Sequence, residues 1–287
     1  MEKAPSRAAS EGAAASPSLL AGKALAGLLI GLAGGSLGGL VGLGGGVIMI
    51  PLLTSWMGLT QHAAHGSSLV AVLFTAVSGG AGYARQGAVD LTAAVAVAAS
   101  AMLMARLGAR ASGRVSSARL QGYFGMFLVG VSLLLPVSRY LMAHVDSGTA
   151  LPPVVVAAGG LVIGVISGYL AGMMGVGGGA IVVPALVVGL GFPQHLAQGT
   201  SLIQMIPTAV SGIWTHHRLG HIQWHMAPWL GVGAIAGGWV GSVVAGWLPS
   251  ATLRYVFSAF TLLMGVHYIR RSRRAVAAER REAGRPV

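Results

Sequence analysis

The 287 residues are 54% hydrophobic and 8% charged, with a net charge of +12 and no cysteine. So small a charged fraction excludes an ordinary soluble domain, in which about a quarter of residues are charged, and the missing thiols exclude disulfides and thiolate metal sites. The positive charge does not point to nucleic acid: Arg270, Arg271, Arg273, Arg274, Arg280, Arg281 and Arg285 crowd the last 18 residues, beyond the final apolar segment, where a basic cluster fixes membrane topology.

In chain order, residues 1–22 are rich in Ala and Ser and lack a continuous apolar stretch, so a disordered tail is expected, not a cleaved signal peptide. A first membrane repeat, 23–145, is predicted to hold apolar segments at roughly 24–43, 46–57, 66–83, 91–107 and 120–141. A second repeat, 146–271, holds them at roughly 153–175, 179–191, 199–214, 227–247 and 253–270, before a basic tail, 272–287. Most reach the ~20 residues that a membrane span needs. The second of each set is about half that length, and reads as a half-helix or the return arm of a hairpin. The expected fold is all-α and polytopic.

The repeats align at a fixed offset. Val41-Gly-Leu-Gly-Gly-Gly-Val-Ile-Met-Ile-Pro51 returns as Met174-Gly-Val-Gly-Gly-Gly-Ala-Ile-Val-Val-Pro184, 133 positions later. The same spacing relates Gln61-His62 to Gln194-His195, Gly66-Ser67-Ser68-Leu69 to Gly199-Thr200-Ser201-Leu202, and Thr75–Gly79 to Thr208–Gly212. Paired apolar units of this kind are a transporter's pattern. Loop charge then orients them. Arg106, Arg110, Arg114 and Arg119 sit in a loop without acids, whereas its counterpart, 239–252, has no charge. Excess arginine marks the first as cytoplasmic. Homologous loops therefore face opposite sides, as five segments per repeat require, and inverted topology with both termini cytoplasmic is expected.

The glycine clusters are the leading candidate site. Gly44, Gly45 and Gly46, and Gly177, Gly178 and Gly179, each open a short apolar helix closed by Pro51 or Pro184. A helix that begins at membrane depth directs its free N–H groups and positive dipole end into a cavity, so two such ends can face one anion. Packing of small residues is the alternative reading. Ser67, Ser68, Thr200 and Ser201 stand at the predicted start of the third segments, as helix caps or as hydroxyl donors to a ligand. Gln204, whose counterpart is Ala71, is interhelical glue or a ligand donor, and Pro207 is expected to kink that helix.

His62 and His195 are placed in loops before the third segments, and His216, His217, His221 and His225 form an interfacial patch, a metal group or a proton-coupling element. The acids Glu2, Glu11, Asp90, Asp146, Glu279 and Glu282 all lie outside the span interiors. That disfavours cation coordination by carboxylate and favours an anionic solute. No nucleophile–base pair is present, so no enzyme, cofactor or metal is expected. Glycine faces such as Gly231, Gly233, Gly237, Gly238 and Gly241 pack either inside the protomer or in a homodimer.

On the two motifs Gly42–Pro51 and Gly175–Pro184, the run Gly191-Phe-Pro-Gln-His-Leu-Ala-Gln-Gly-Thr-Ser-Leu202 and Pro249–Arg254, the chain resembles the TauE/SafE family of sulfite and organosulfonate transporters over about residues 24–270. The resemblance implies an inner-membrane carrier that moves small sulfur-containing anions outward. Copy one departs from the Gly-Thr-Ser-Leu pattern and has no residue like Gln204 or Pro207, so the halves contribute unequally. An anion channel sharing the site, or a membrane scaffold without substrate, are the alternatives; a scaffold has no reason to keep paired broken helices.

Overall fold

The structure, a computed structural model, describes residues 17–112, 117–141, 151–174 and 178–283. Among them run ten helices: α1 Pro17–Val41, α2 Gly46–Trp56, α3 Gln61–Arg85, α4 Leu91–Ser112, α5 Ser117–Leu141, α6 Pro153–Met174, α7 Gly179–Gly189, α8 Gln194–Arg218, α9 Ala227–Trp247 and α10 Ser250–Ala283. Six are long and apolar enough to cross a membrane (in α1, α3, α4, α5, α6 and α9). At ~1.5 Å per residue, the 11 residues of α2 and of α7 reach only about 17 Å, roughly half a bilayer core.

Several predicted boundaries move. The third helices begin at Gln61 and Gln194, five residues earlier than expected, because Thr60 caps α3 by accepting from Ala63 N at 3.3 Å and Pro193 precedes α8. His62 and His195 therefore lie in first helical turns, not loops. Ser67, Ser68, Thr200 and Ser201 lie inside helices and cap nothing. At the other end, α10 continues through the supposed boundary at 271, since Arg, Ala and Glu are strong helix formers. The first helix starts at Pro17, inside the predicted tail, and α8 runs unbroken past Pro207.

The repeats interlock. The first helix of each packs along the fourth helix of the other, α1 on α9 and α6 on α4, while α5 pairs with α10 and α3 with α8. The register is reciprocal to the residue. On α1, Gly27, Gly31, Gly35 and Gly39 meet Trp229, Leu230, Ala234 and Gly238; on α6, Gly160, Gly164, Gly168 and Gly172 meet Ala96, Val97, Ala101 and Ala105. Each of these eight contacts has its counterpart 133 positions away. Glycine every fourth residue leaves a groove along one helix face, and the partner backbone fills it. In the same seam, Gly233, Gly237 and Gly241 of α9 meet Leu28, Leu32 and Ser36 of α1. These α9 glycines are consumed inside the chain, which settles their packing within the protomer.

The half-helices sit deepest. Val182, Val183 and Leu186 of α7 are fully buried in a cluster with Phe124, Leu128 and Phe257, while Met49 and Leu53 of α2 pack with Ile30 and Leu230. Large apolar side chains such as Val154, Val162, Leu103 and Leu263 point outward, as suits a surface solvated by lipid.

Candidate functional site

The first glycine cluster is shaped by the end of α1. Leu43 N and Gly44 N both donate to Gly38 O, at 3.0 and 3.3 Å, which closes that helix. Gly44 and Gly45 then take φ of +71° and +84°, a region open to glycine and strained for other residues. A new helix starts at once: Ile48 N and Met49 N donate to Gly45 O, each at 3.0 Å. The second cluster shows only its last residues. Gly175 and Gly177 lie outside the described residues. Gly178 caps α7, accepting from Ile181 N at 3.0 Å and Val182 N at 2.9 Å. At both starts the first-turn N–H groups have no intrahelical acceptor.

The two clusters meet. A Cβ on Gly179 would lie 3.1 Å from Gly42 O and 3.1 Å from Leu43 Cα, and one on Gly44 would lie 2.8 Å from Met205 Cε. Between them runs one face of α8. Gln194, Gln198, Ser201, Gln204 and Thr208 recur at helical spacing, and the first four are buried. This stripe is why α8, unlike its counterpart α3, does not reach the apolarity of a span candidate.

Ser201 Oγ donates to Gly42 O at 3.0 Å and holds the first break in place. Gln198 is fully buried beneath Gly42; one end of its amide meets the Tyr83 hydroxyl at 2.9 Å, and its Nε2 has no partner. Gln204, 2% exposed, also has an unpartnered Nε2, and a Cβ on Gly178 would lie 3.9 Å from that nitrogen. Leaving a buried donor unmade costs about 1–3 kcal/mol, so the Gln204 amide beside the α7 N-terminus is short of an acceptor. A ligand rich in acceptor oxygens answers that deficit. Gln198 was passed over in the sequence because only the i, i+3/i+4 spacing to Gln194, Ser201 and Gln204 marks it as part of a polar face.

The remaining hydroxyls do other work. Ser67 Oγ accepts from Gln223 N at 3.0 Å, and its repeat-mate Thr200 Oγ1 accepts from Asp90 N at 3.0 Å. Each ties a third helix to the loop before the fourth helix of the other repeat. Ser68 Oγ turns back to His65 O at 2.9 Å. The structure thus brings Gly178, Gly179, Ser201 and Gln204 up to the first break, Gly42 to Gly46, with the Ser201 proton already given to Gly42 O, while Ser67 and Thr200 hold loop N–H groups and Ser68 donates to His65 O. Ser67→Ala and Thr200→Val should each lower stability by about 1–2 kcal/mol by stranding a backbone N–H; thermal unfolding of the purified variants checks this, and unchanged stability refutes the tie.

The family described as "Sulfite exporter TauE/SafE" matches the chain twice, over residues 27–172 and 161–287. The chain is 27% identical over 261 residues to the "Probable membrane transporter protein YunE" of Bacillus subtilis (strain 168), covering 84% of this chain and 96% of the relative. It is 29% identical over 247 residues to a "Probable membrane transporter protein" of Xylella fastidiosa (strain 9a5c), covering 85% and 92%. The "Probable membrane transporter protein MJ0441" of Methanocaldococcus jannaschii is 23% identical over 254 residues, covering 83% and 92%. No solved structure matches.

Proposed function

The chain belongs to the TauE/SafE family of membrane transporters, and from that premise we propose that it is a secondary carrier exporting a small sulfur-containing oxyanion or organosulfonate across the inner membrane. The observation that carries the reading is the buried, unpartnered Gln204 Nε2 beside Gly178 at the α7 N-terminus. Neutral donors and helix dipoles can hold an anion without a buried cation, whose desolvation would be costly. Among the described residues, the six candidate spans have Lys or Arg only near their ends.

Alternating access follows from the interlocked repeats. The reciprocal α1–α9 and α6–α4 pairs are what two inverted copies would build, and they make two rigid arms. The half-helix α2 packs on α1 and α3, and α7 on α6 and α8, so rocking of the arms would carry the half-helices with it and expose the anion first to one side and then to the other. Both termini are cytoplasmic in this reading, with the basic end of α10 leaving the membrane there.

Thermal unfolding across sulfite, sulfate, thiosulfate, sulfoacetate, taurine, phosphate and simple carboxylates tests it. A saturable shift confined to sulfur oxyanions or sulfonates is expected; no shift with any of them would sink the assignment. Gln204→Leu sharpens the result. It removes the unmatched donor, so stability should stay level or rise by about 1 kcal/mol, while the anion-dependent shift disappears. A variant that keeps its shift places the anion elsewhere.

A further inference from the structure

Four histidines from three parts of the chain converge at one end of the α3–α8 pair. His62 and His65 stand in the first turns of α3, His216 in the last turn of α8, and His221 in the loop before α9. The rings of His62 and His221 stack with centroids 5.1 Å apart, His65 and His216 meet edge-on at 5.1 Å, and His216 and His221 lie 5.4 Å apart. His216 Nδ1 and His221 Nδ1 are 3.4 Å apart. The loop is seated on α3 by Gln223 N donating to Ser67 Oγ, and Ile222 buries against Val70 and Ala227. A Cβ on Gly66 would come within 2.6 Å of His221 O, so the loop backbone lies directly on the helix.

The other repeat shows what this place looks like without titration. The counterparts of His65, His216 and His221 are Gln198, Tyr83 and Ala88. There the Tyr83 hydroxyl meets Gln198 at 2.9 Å, and Thr200 seats the loop in the same way. The counterpart of His62, His195, turns instead to Ser250 Oγ and Ala245 O. The same loop seat is flanked by an amide–phenol pair in one half and by imidazoles in the other.

An Nδ1–Nδ1 contact needs one N–H and one lone pair, so it holds when at most one ring is charged. Two imidazolium rings at this spacing repel, and both would offer only donors. The surrounding charges do not offset this. Arg271 of α10 donates to Gln61, beside His62, and adds positive charge. Glu279 and Glu282 follow two to three turns beyond Arg271 on that helix. Asp90 caps α4 through Oδ1 to Ala93 N, in the loop equivalent to that of His221. His217 pairs with Trp224 on the exposed side. No group of three or more His, Cys or acidic side chains among the described residues has a metal-holding arrangement, so the ligand that fits the cluster is the proton. His62 is exposed and gives it a path in.

We propose that His62, His65, His216 and His221 form a proton-binding site that latches the α8–α9 loop onto α3 when neutral and releases it when charged. One mouth of the carrier thereby answers to pH and the pseudo-equivalent mouth does not. Crowding of the four rings opposes their charging, so the latch opens only on the acid side, as the pH falls far enough to charge more than one of them.

Because the chain has no cysteine, single introduced thiols report on the loop directly, whatever solute is carried. Ile222→Cys places a thiol at a position 7% exposed, and Leu219→Cys one at a position 59% exposed. Maleimide labelling of the first, normalised to the second to remove the pH dependence of the thiol, is expected to rise about fivefold or more between about pH 7.5 and pH 4. Installing the other half's pair, His65→Gln with His216→Tyr, should hold it low at both. His221→Ala, which copies Ala88, should raise it already at neutral pH. Labelling that stays flat in the parent, rises undiminished in the double variant, or is unmoved by His221→Ala overturns the latch.

Discussion

Gly178→Val is expected to abolish anion transport while leaving a folded, membrane-inserted protein. Most glycines of the two breaks cannot report on function alone. Gly44 and Gly45 have positive φ, and a Cβ on Gly45 would strike Gly34 O. Gly178 differs. Its φ of −74° suits any residue, and an added Cβ would meet only Val182 Cγ2 at 3.8 Å and Gln204 Nε2 at 3.9 Å, ordinary contact distances. The valine methyls would therefore fill the space ahead of the Gln204 amide and the α7 N-terminus. Displacing a bound group by an ångström or so costs about a hundredfold in rate, and occlusion should cost at least that. Flux of sulfite into or out of proteoliposomes, with thermal unfolding as the control for folding, checks it. Full flux in the variant beside an active parent would remove the glycine break from the binding site.

The second large effect is on the scaffold. Gly35→Val and its repeat-mate Gly168→Val should each cost about 3 kcal/mol or more and yield little folded protein. At Gly35 a Cβ would lie 2.8 Å from Ala234 O and 2.9 Å from Ala234 Cα; at Gly168 it would lie 2.5 Å from Ala101 Cα. Backbone cannot rotate aside as a side-chain tip can, so the helices must separate along their length and forfeit the packing that holds them in lipid. Gly130→Val is the control, since a Cβ there meets nothing within 4 Å. Monodispersity and unfolding temperature in detergent decide the matter. Equal tolerance at all three positions would mean that the α1–α9 and α6–α4 seams are not what holds the repeats together.

These expectations differ in how far they could be read from the chain. The Gly-x-Gly-Gly-Gly motifs with their following prolines announced the half-helices, because positive φ and an early helix start are local properties of glycine. The helix start at Gln61 was less legible: Thr60 is one hydroxyl among several, and Ser67 and Ser68 looked equally able to cap. Their true partners explain the difference. Ser67 and Thr200 hold backbone N–H groups more than a hundred residues away, and no local pattern encodes such a contact. Gln198 was hidden for a similar reason, since its weight comes from Tyr83 on one side and Gly42 on the other.

What the sequence determined by itself is the membrane class, the duplicated unit and the number of helices per copy, all of which follow from composition and periodicity along a single stretch of chain. What only the tertiary structure decided is which helices exchange between the copies, which polar groups are consumed in holding them, and which are left over. Hydropathy and helix propensity act between residues a few positions apart. The site depends on a buried donor having no acceptor, and that is a property of everything packed around it.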